Sequence, residues 1–446
     1  MKTNTNLCTL SLMVLIIASS EMALGSDPVP APKQKHPIAL VGGTIYTVSG
    51  AVILNGTIVF DKGKIVALGQ NPTLPPGTEK ISVNGKSVYP GLIDSWNSIG
   101  LTEIGTVPGS NDQSEGASNL NPNIRVEYAL NAESEMIPVA RSNGITVAVT
   151  VPSGGLISGM AAAIELDGWT WEDLTYKSQL GLVINWPGDT ERGRRGGVPV
   201  AQTEETQATR EDPLKPLNAF IASARAYALA KKAEREQNVP YHNIDLRLQA
   251  MIPVLEGTVP LLVRANSATQ IQSAIAWCDR EGLKMILVGG REGWRVTEQL
   301  QAKNIPVIIT GVQAGPSRDW EAYDQVFSLA ATLNKAGIRF AIAGDGSPSN
   351  SRNVPYHAAN AVAYGLPQGE GLKAVTLYAA QILGLGDRLG SLAVGKDATL
   401  IVTDGDPLLP PTHTLMEFIQ GKKIDLRDKH KQLFEKYTEK YQQIKK

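Results

Sequence analysis

Five short apolar runs, at residues 145–150, 261–263, 285–288, 307–309 and 340–343, constrain the fold of this chain more than any other feature. None alternates polar with apolar residues, so each suits a strand covered on both faces, as in a parallel sheet. Helical patterns lie between or around them at 217–237, 268–281, 292–303, 320–335 and 371–384. This alternation predicts βα units assembled into an open sheet or a closed barrel.

Two other stretches are strand-rich and lie far apart. Residues 37–88 hold short β-branched runs broken by glycines, with Asp61-Lys62-Gly63-Lys64 marking a hairpin. Residues 390–402 hold a second patch, Gly-Ser-Leu-Ala-Val-Gly-Lys-Asp-Ala-Thr-Leu-Ile-Val. Length and composition suit a large core: 446 residues, 42% hydrophobic and 19% charged, with a formal net charge of -1. That balance carries no electrostatic footprint for nucleic acid.

The first residues predict a signal peptide over 1–25. Lys2 supplies the charge, 10–18 the apolar stretch, and Ala23-Leu24-Gly25 a small-x-small cleavage site. Export to the periplasm or outside the cell is therefore expected, with no membrane association after cleavage. Cleavage would remove Cys8 and leave Cys278 alone, so no intramolecular disulfide is expected in the mature chain. Cys278 lies in an amphipathic helical run and reads as a small buried residue. A Pro-rich linker is expected over 26–36, and a charged helix over 425–446 packed on the outside of the fold. Two polar loops, 106–123 and 187–213, are long enough to be functional or disordered. Arg192, Arg194 and Arg195 in the second read more simply as solvated charges than as an anion site.

The segment Val88-Tyr89-Pro90-Gly91-Leu92-Ile93-Asp94 joins these patterns. Together with the alternating middle and the 390–402 patch, it resembles the amidohydrolase superfamily, in its imidazolonepropionase-like and prolidase-like exported branch. The resemblance implies an α/β fold, a (β/α)8 TIM-like barrel over 89–385. Beside it a small β-sandwich would be formed by both chain ends, 37–88 and 386–424. It also implies metal-assisted hydrolysis, in which a divalent ion such as zinc lowers the pKa of a bound water. The ligands of such a site stand at the C-terminal ends of barrel strands.

At those places this sequence departs from the family. The His-x-His pair expected after Asp94 is Trp96 and Ser98. The strand-five position holds Arg264, and the strand-six position falls at Gly289-Gly290. Only Asp345 survives as a strand-eight aspartate. The remaining histidines, His36, His242, His357, His413 and His430, are scattered without ligand spacing. His357 alone falls near the expected mouth. No metal site is therefore predicted.

Asp345 is the candidate catalytic residue, and Arg264, Trp96, Ser98 and His357 are candidate ligand-binding residues. Arg264 either pairs with Asp345 or holds a substrate carboxylate. The glycines of 151–159 either form a plain turn or aim backbone N–H groups at an anion. The expected function is that of an exported amidohydrolase relative, degenerate or binding a small molecule without metal, with an anion as the candidate ligand and a homo-oligomer as the candidate assembly. The alternative is an active hydrolase of C–N bonds in cyclic amides or small peptides.

Overall fold

The computed structural model describes residues 29–116, 118–188, 212–237, 243–316 and 318–444. The expected signal peptide, the arginines of 192–195 and His242 lie outside them.

The chain enters through β1 (Ile38–Ile45), β2 (Ile53–Asp61), β3 (Lys64–Gly69), β4 (Glu79–Ser82) and β5 (Ser87–Pro90). A barrel sheet follows: β6 (Leu92–Asn97), β7 (Ile145–Thr150), β8 (Ile157–Glu165), β9 (Thr175–Asn185), β10 (Leu261–Ala265), β11 (Met285–Gly289), β12 (Val307–Ile309) and β13 (Phe340–Ile342). Three last strands, β14 (Leu400–Thr403), β15 (Thr414–Ile419) and β16 (Lys422–Lys423), return to the first sheet.

In that first sheet β14 pairs antiparallel with β5, so the two ends of the chain meet edge to edge. The sheet order is β16-β15-β14-β5-β1-β2-β3, with β4 also on β1. It folds over on itself. Phe60 on β2 and Phe418 on β15 are separated by three strands in the hydrogen-bonding order, yet their rings meet edge-on at 5.0 Å. Both are fully buried, with Leu40, Ile58, Leu400 and Val402 beside them. The expected hairpin is present, as Asp61 pairs with Lys64. The segment at 31–36 is not a free linker: Gln34 accepts from Gly63 N and donates to Phe60 O.

Around the barrel sheet, neighbouring strands are parallel except at β8, which runs antiparallel to β7 and β9. The architecture is thus a TIM-like α/β barrel in which one strand is reversed. Gly154 and Gly155, with φ of 82° and 66°, turn the chain back directly after β7. No crossover helix is needed, because only a parallel return requires one. All nine residues of β8 are buried, so it is a central strand rather than an edge.

Side-chain parity separates two cores. Val147, Val183, Leu262, Val288, Ile308 and Ala341 fill the barrel interior. Their strand neighbours, such as Leu182, Leu261, Val263, Leu287 and Val307, face the helices outside. The helix Ala268–Glu281 shows how local sequence sets such a boundary. Ser267 and Gln270 form a reciprocal capping box at its start, and Gly282 in the left-handed conformation ends it. It buries Ile271, Trp277 and Cys278, whose thiol is pushed up to about 12 by burial and is chemically quiet.

Two sequence expectations are corrected. The helix predicted for 371–384 is two, Gln368–Ala374 and Leu377–Ile382, broken at Thr376. The charged helix, Lys429–Ile444, buries none of its residues and meets the described fold at its first turn, through Lys429 and His430. Its apolar side chains lie on one stripe, which no element of the described residues covers.

Because Phe60 and Phe418 close the folded sheet, Phe418→Ala should lower the unfolding free energy by about 3–5 kcal/mol. Urea unfolding followed by fluorescence checks this, and a loss below about 1 kcal/mol would mean that the two halves are held by backbone pairing alone.

Candidate functional site

The motif that leads into the barrel is shaped by close packing. A Cβ at Gly91 would lie 2.1 Å from Thr146 Oγ1, so β6 can approach β7 only with glycine there. Pairing of β6 with β7 then slips between Asp94 and Asn97. A slip of this kind re-aims side chains, and both Ile93 and Trp96, three residues apart, belong to the interior cluster. Trp96 is 8% exposed and forms part of the floor beneath the mouth.

Asp94 holds the seam between β6 and the segment after β13. Its Oδ2 accepts from Ser351 Oγ (2.7 Å) and Asn97 Nδ2 (2.7 Å). Its Oδ1 accepts longer bonds from Trp96 N (3.4 Å) and Gly344 N (3.5 Å). The residue is fully buried. Burial pushes its carboxyl up to about 6, against the lowering effect of these four donors. Asn97 also donates to Ser347 O and Ser98 Oγ to Gly346 O, which fastens the 344–351 segment over the end of β6.

Asp345 lies on this segment and is exposed. Its carboxylate accepts from Ser347 N (2.9 Å) and Asn350 Nδ2 (2.7 Å), the geometry of a turn-forming aspartate. His357, in the helix Val354–Ala363, is 3% exposed, and its Nδ1 has no hydrogen-bond partner among the described residues. Burial pulls its pKa below the ordinary value, opposed by the Asp345 charge, so the imidazole is neutral at pH 7.

Across the barrel, Arg264 has the inward parity of Leu262 and sits near the C-terminal end of β10, exposed at the mouth. The ion pair between Arg264 and Asp345 weighed from the sequence is not formed. Asp345 spends its oxygens on its own turn, and Arg264 has no ion-pair partner among the described residues. Arg291, which follows β11, donates to Gly315 O and likewise forms no ion pair among them. Arg295 and Arg318 both pair with buried Glu292, at 3.0 Å each, and its single charge offsets one of the two. Burial pushes the Glu292 carboxyl up, but the Ala268 N–H and the two guanidiniums hold it below its usual value. Arg264 and Arg291 thus leave this side of the mouth positive.

The residues present do not fit the metal expected of the family. Trp96 offers no free lone pair, Ser98 is committed to Gly346 O, and Arg264 is a permanent cation. At Gly289 a Cβ would lie 2.4 Å from Asn266 Oδ1, and its φ of 89° disfavours any side chain. Asn266 fills the space beside Gly289. Among the described residues, no three His, Cys, Asp or Glu side chains cluster to hold an ion. His36 and His413 are surface residues beside Glu79 and Asp404, and His430 accepts from Arg352.

The sequence brought attention to Trp96, Ser98, Asp345 and His357, which the fold gathers on the β6–β13 side, while Arg264 stands apart on β10. It missed Asn97, Ser351, Asn266 and Glu292. Ser351 is 257 positions from Asp94, and nothing in the local sequence links them. The 151–159 segment is a turn and not an anion nest. Its Ser153 N–H goes to Gln113 O and its Leu156 and Ile157 N–H groups go to Asn119 O.

The folded-state pKa of Asp94 lies above the unfolded value of 3.8, at about 6. Between those values the native protein keeps a proton that the unfolded chain has released, so its contribution to stability is present at low pH and falls as pH rises. Asp94→Asn should remove this component. The stability difference between wild type and variant should change between pH 4 and pH 6.5, measured by urea unfolding. Comparing the two proteins cancels Glu165, which burial pushes up to about 7 in both. A difference independent of pH would show that the four donors keep Asp94 ionised.

Comparison with known proteins agrees with this architecture. The Amidohydrolase family model matches residues 295–426. An amidohydrolase of Hapsidospora irregularis is 22% identical over 413 residues, which cover 86% of this chain and 40% of that protein. The chain therefore spans well under half the length of this relative. The crystal structure of an amidohydrolase from Thermotoga maritima superposes with a TM-score of 0.78 at 24% identity, covering 87% of this chain and all of that one. A Xaa-Pro dipeptidase solved with bound methionine superposes with a TM-score of 0.54 at 14% identity, covering 87% of this chain and 100% of the other. The family match, which runs from before β12 through β16, and the shared barrel-and-sheet fold make this chain similar to amidohydrolases.

Proposed function

We propose that this hydrolase-like protein binds a small anionic molecule at the barrel mouth without a catalytic metal. The observation that carries this reading is the replacement of ligand positions by residues with other tasks, above all Asn266 occupying the space beside Gly289. Loss at one position is compatible with an altered metal site. Losses at Trp96, Ser98, Arg264 and Gly289 leave too few donors for one. In this reading Arg264 holds a carboxylate of the ligand in bidentate fashion, supported by the positive charge of Arg291. Trp96 forms the floor, and Ser98 and His357 support the Asp345 segment from below.

A second reading is hydrolysis of a C–N bond in a cyclic amide or small peptide. It is supported by the dipeptidase among the structural relatives and by exposed Asp345 near a neutral, unpartnered His357. There Asp345 is the catalytic residue, taking a proton from an attacking water.

The two separate on purified protein. The first predicts substoichiometric zinc, manganese and iron after dialysis, and a thermal shift with N-acetyl-L-proline that Arg264→Ala abolishes. Stoichiometric metal, or peptide cleavage lost in Asp345→Asn, overturns it in favour of the second.

We further propose that the chain is exported, on the charged, apolar and small-x-small segments of its first 25 residues. N-terminal sequencing of protein expressed in a secreting host should begin at Ser26, and a start at Met1 would refute export by this signal.

A further inference from the structure

Among the described residues, the helix Lys429–Ile444 is held at its beginning. Asp428 caps it by accepting from His430 N (2.7 Å) and Lys431 N (3.1 Å). Lys429 pairs with Glu135 at 3.5 Å, and Arg352 donates to His430 Nδ1 at 2.8 Å. No residue of its 16 is buried. At about 1.5 Å per residue the helix extends roughly 24 Å.

Along it, residues 430, 434, 437, 441 and 444 step by four and three, the spacing of a single stripe. Phe434 is 73% exposed, Tyr437 47%, Tyr441 59% and Ile444 69%, so this stripe faces solvent. Its borders are basic. The Lys440 ammonium lies 5.7 Å from the Tyr437 ring centre and 6.0 Å from that of Tyr441. Helical periodicity places Lys436 on the same border. Lys431 lies on the opposite one, beside Phe434, where its ammonium donates to Leu426 O and pairs with Asp428 at 3.7 Å. Glu435 and Glu439 fall on the far face. Lysines beside an apolar stripe, with acids turned away, match a surface that is apolar within and negative at its rim.

A second copy of the helix does not have that character. Pairing stripe to stripe would bring Lys436 and Lys440 to the seam's edge, while Glu435 and Glu439 of the partner helix stay on its far face and do not meet them. We infer that this helix adsorbs flat on a lipid surface bearing anionic headgroups, its aromatic stripe at the acyl boundary and its lysines at the headgroups. No helix of the described residues is long and apolar enough to cross a membrane, so the contact is peripheral. It departs from the expectation, drawn from the sequence, of a helix packed on the fold and a mature chain without membrane association.

Co-sedimentation of the full chain with vesicles tests this. The protein should pellet with an equal mixture of phosphatidylcholine and phosphatidylglycerol, less at high salt, and not with phosphatidylcholine alone. The Phe434→Ser, Tyr441→Ser double variant should weaken binding by about tenfold or more, and Lys436→Glu, Lys440→Glu should do likewise. All four side chains are outside the core, so thermal melting should match wild type and exclude misfolding as the cause. Absence of pelleting, or pelleting unchanged in the aromatic variant, overturns the inference. A dimer in sedimentation equilibrium that the aromatic variant dissolves would assign the stripe to a second copy and also overturn it. Binding to an acidic amphipathic peptide without binding to the mixed vesicles would assign it to a protein and overturn it equally.

Discussion

The buried carboxylate of Asp94 is the interaction on which the mouth of this barrel depends. The backbone ladder joins β6 to β7 and β12 to β13, but the described pairing does not run between β13 and β6. Asp94 spans that gap by accepting from Ser351 and Gly344 on one side and from Asn97 and Trp96 on its own. A buried carboxyl without donors is costly, and these four offset the cost while drawing distant segments together. Asp345, Ser98 and Trp96 owe their neighbourhood to this seam. A residue that looks like the mark of a metal site serves here as a structural clasp.

The opposite side of the mouth is organised by charge. Glu292 gathers Arg295 and Arg318 and accepts from the start of the helix Ala268–Glu281, so these groups are largely engaged with one another. Arg264 is left outside that network, exposed and directed inward by strand parity. An arginine so placed repels a cation and attracts an anion, which is why the electrostatics and the missing ligands favour the same reading. Gly289 and Asn266 show that the change is built into the packing. Restoring a histidine at 289 would require Asn266 to move and a strained backbone to accept a side chain.

Much of the fold was legible in the sequence because burial on both faces leaves a direct mark. The runs at 261–263, 285–288 and 307–309 correspond to β10, β11 and β12, and the patches at 37–88 and 390–402 meet in one sheet. The reversal of β8 was not legible, since a fully buried strand reads the same in either direction. Nor was the split at Thr376, where packing overrides a continuous helical pattern. At the site, the residue types were readable but their partners were not. Arg264 and Asp345 invite pairing on charge alone, yet Asp345 satisfies itself within its turn and Arg264 stands three strands away.

The amphipathic stripe of Lys429–Ile444 marks the same division. Its period is written in the sequence, and so is the lysine at each border. Whether the stripe met the body of the protein or faced away depended on the path of the preceding strand and on contacts at one turn only, through Glu135 and Arg352. The sequence by itself determined the scaffold and the two-ended sheet, because periodicity and residue chemistry are local properties. The tertiary structure alone decided that Asp94 clasps the barrel, that Asn266 packs beside Gly289 and that the helix is left uncovered by the described residues. Those outcomes depend on which distant groups compete for the same donors and the same space.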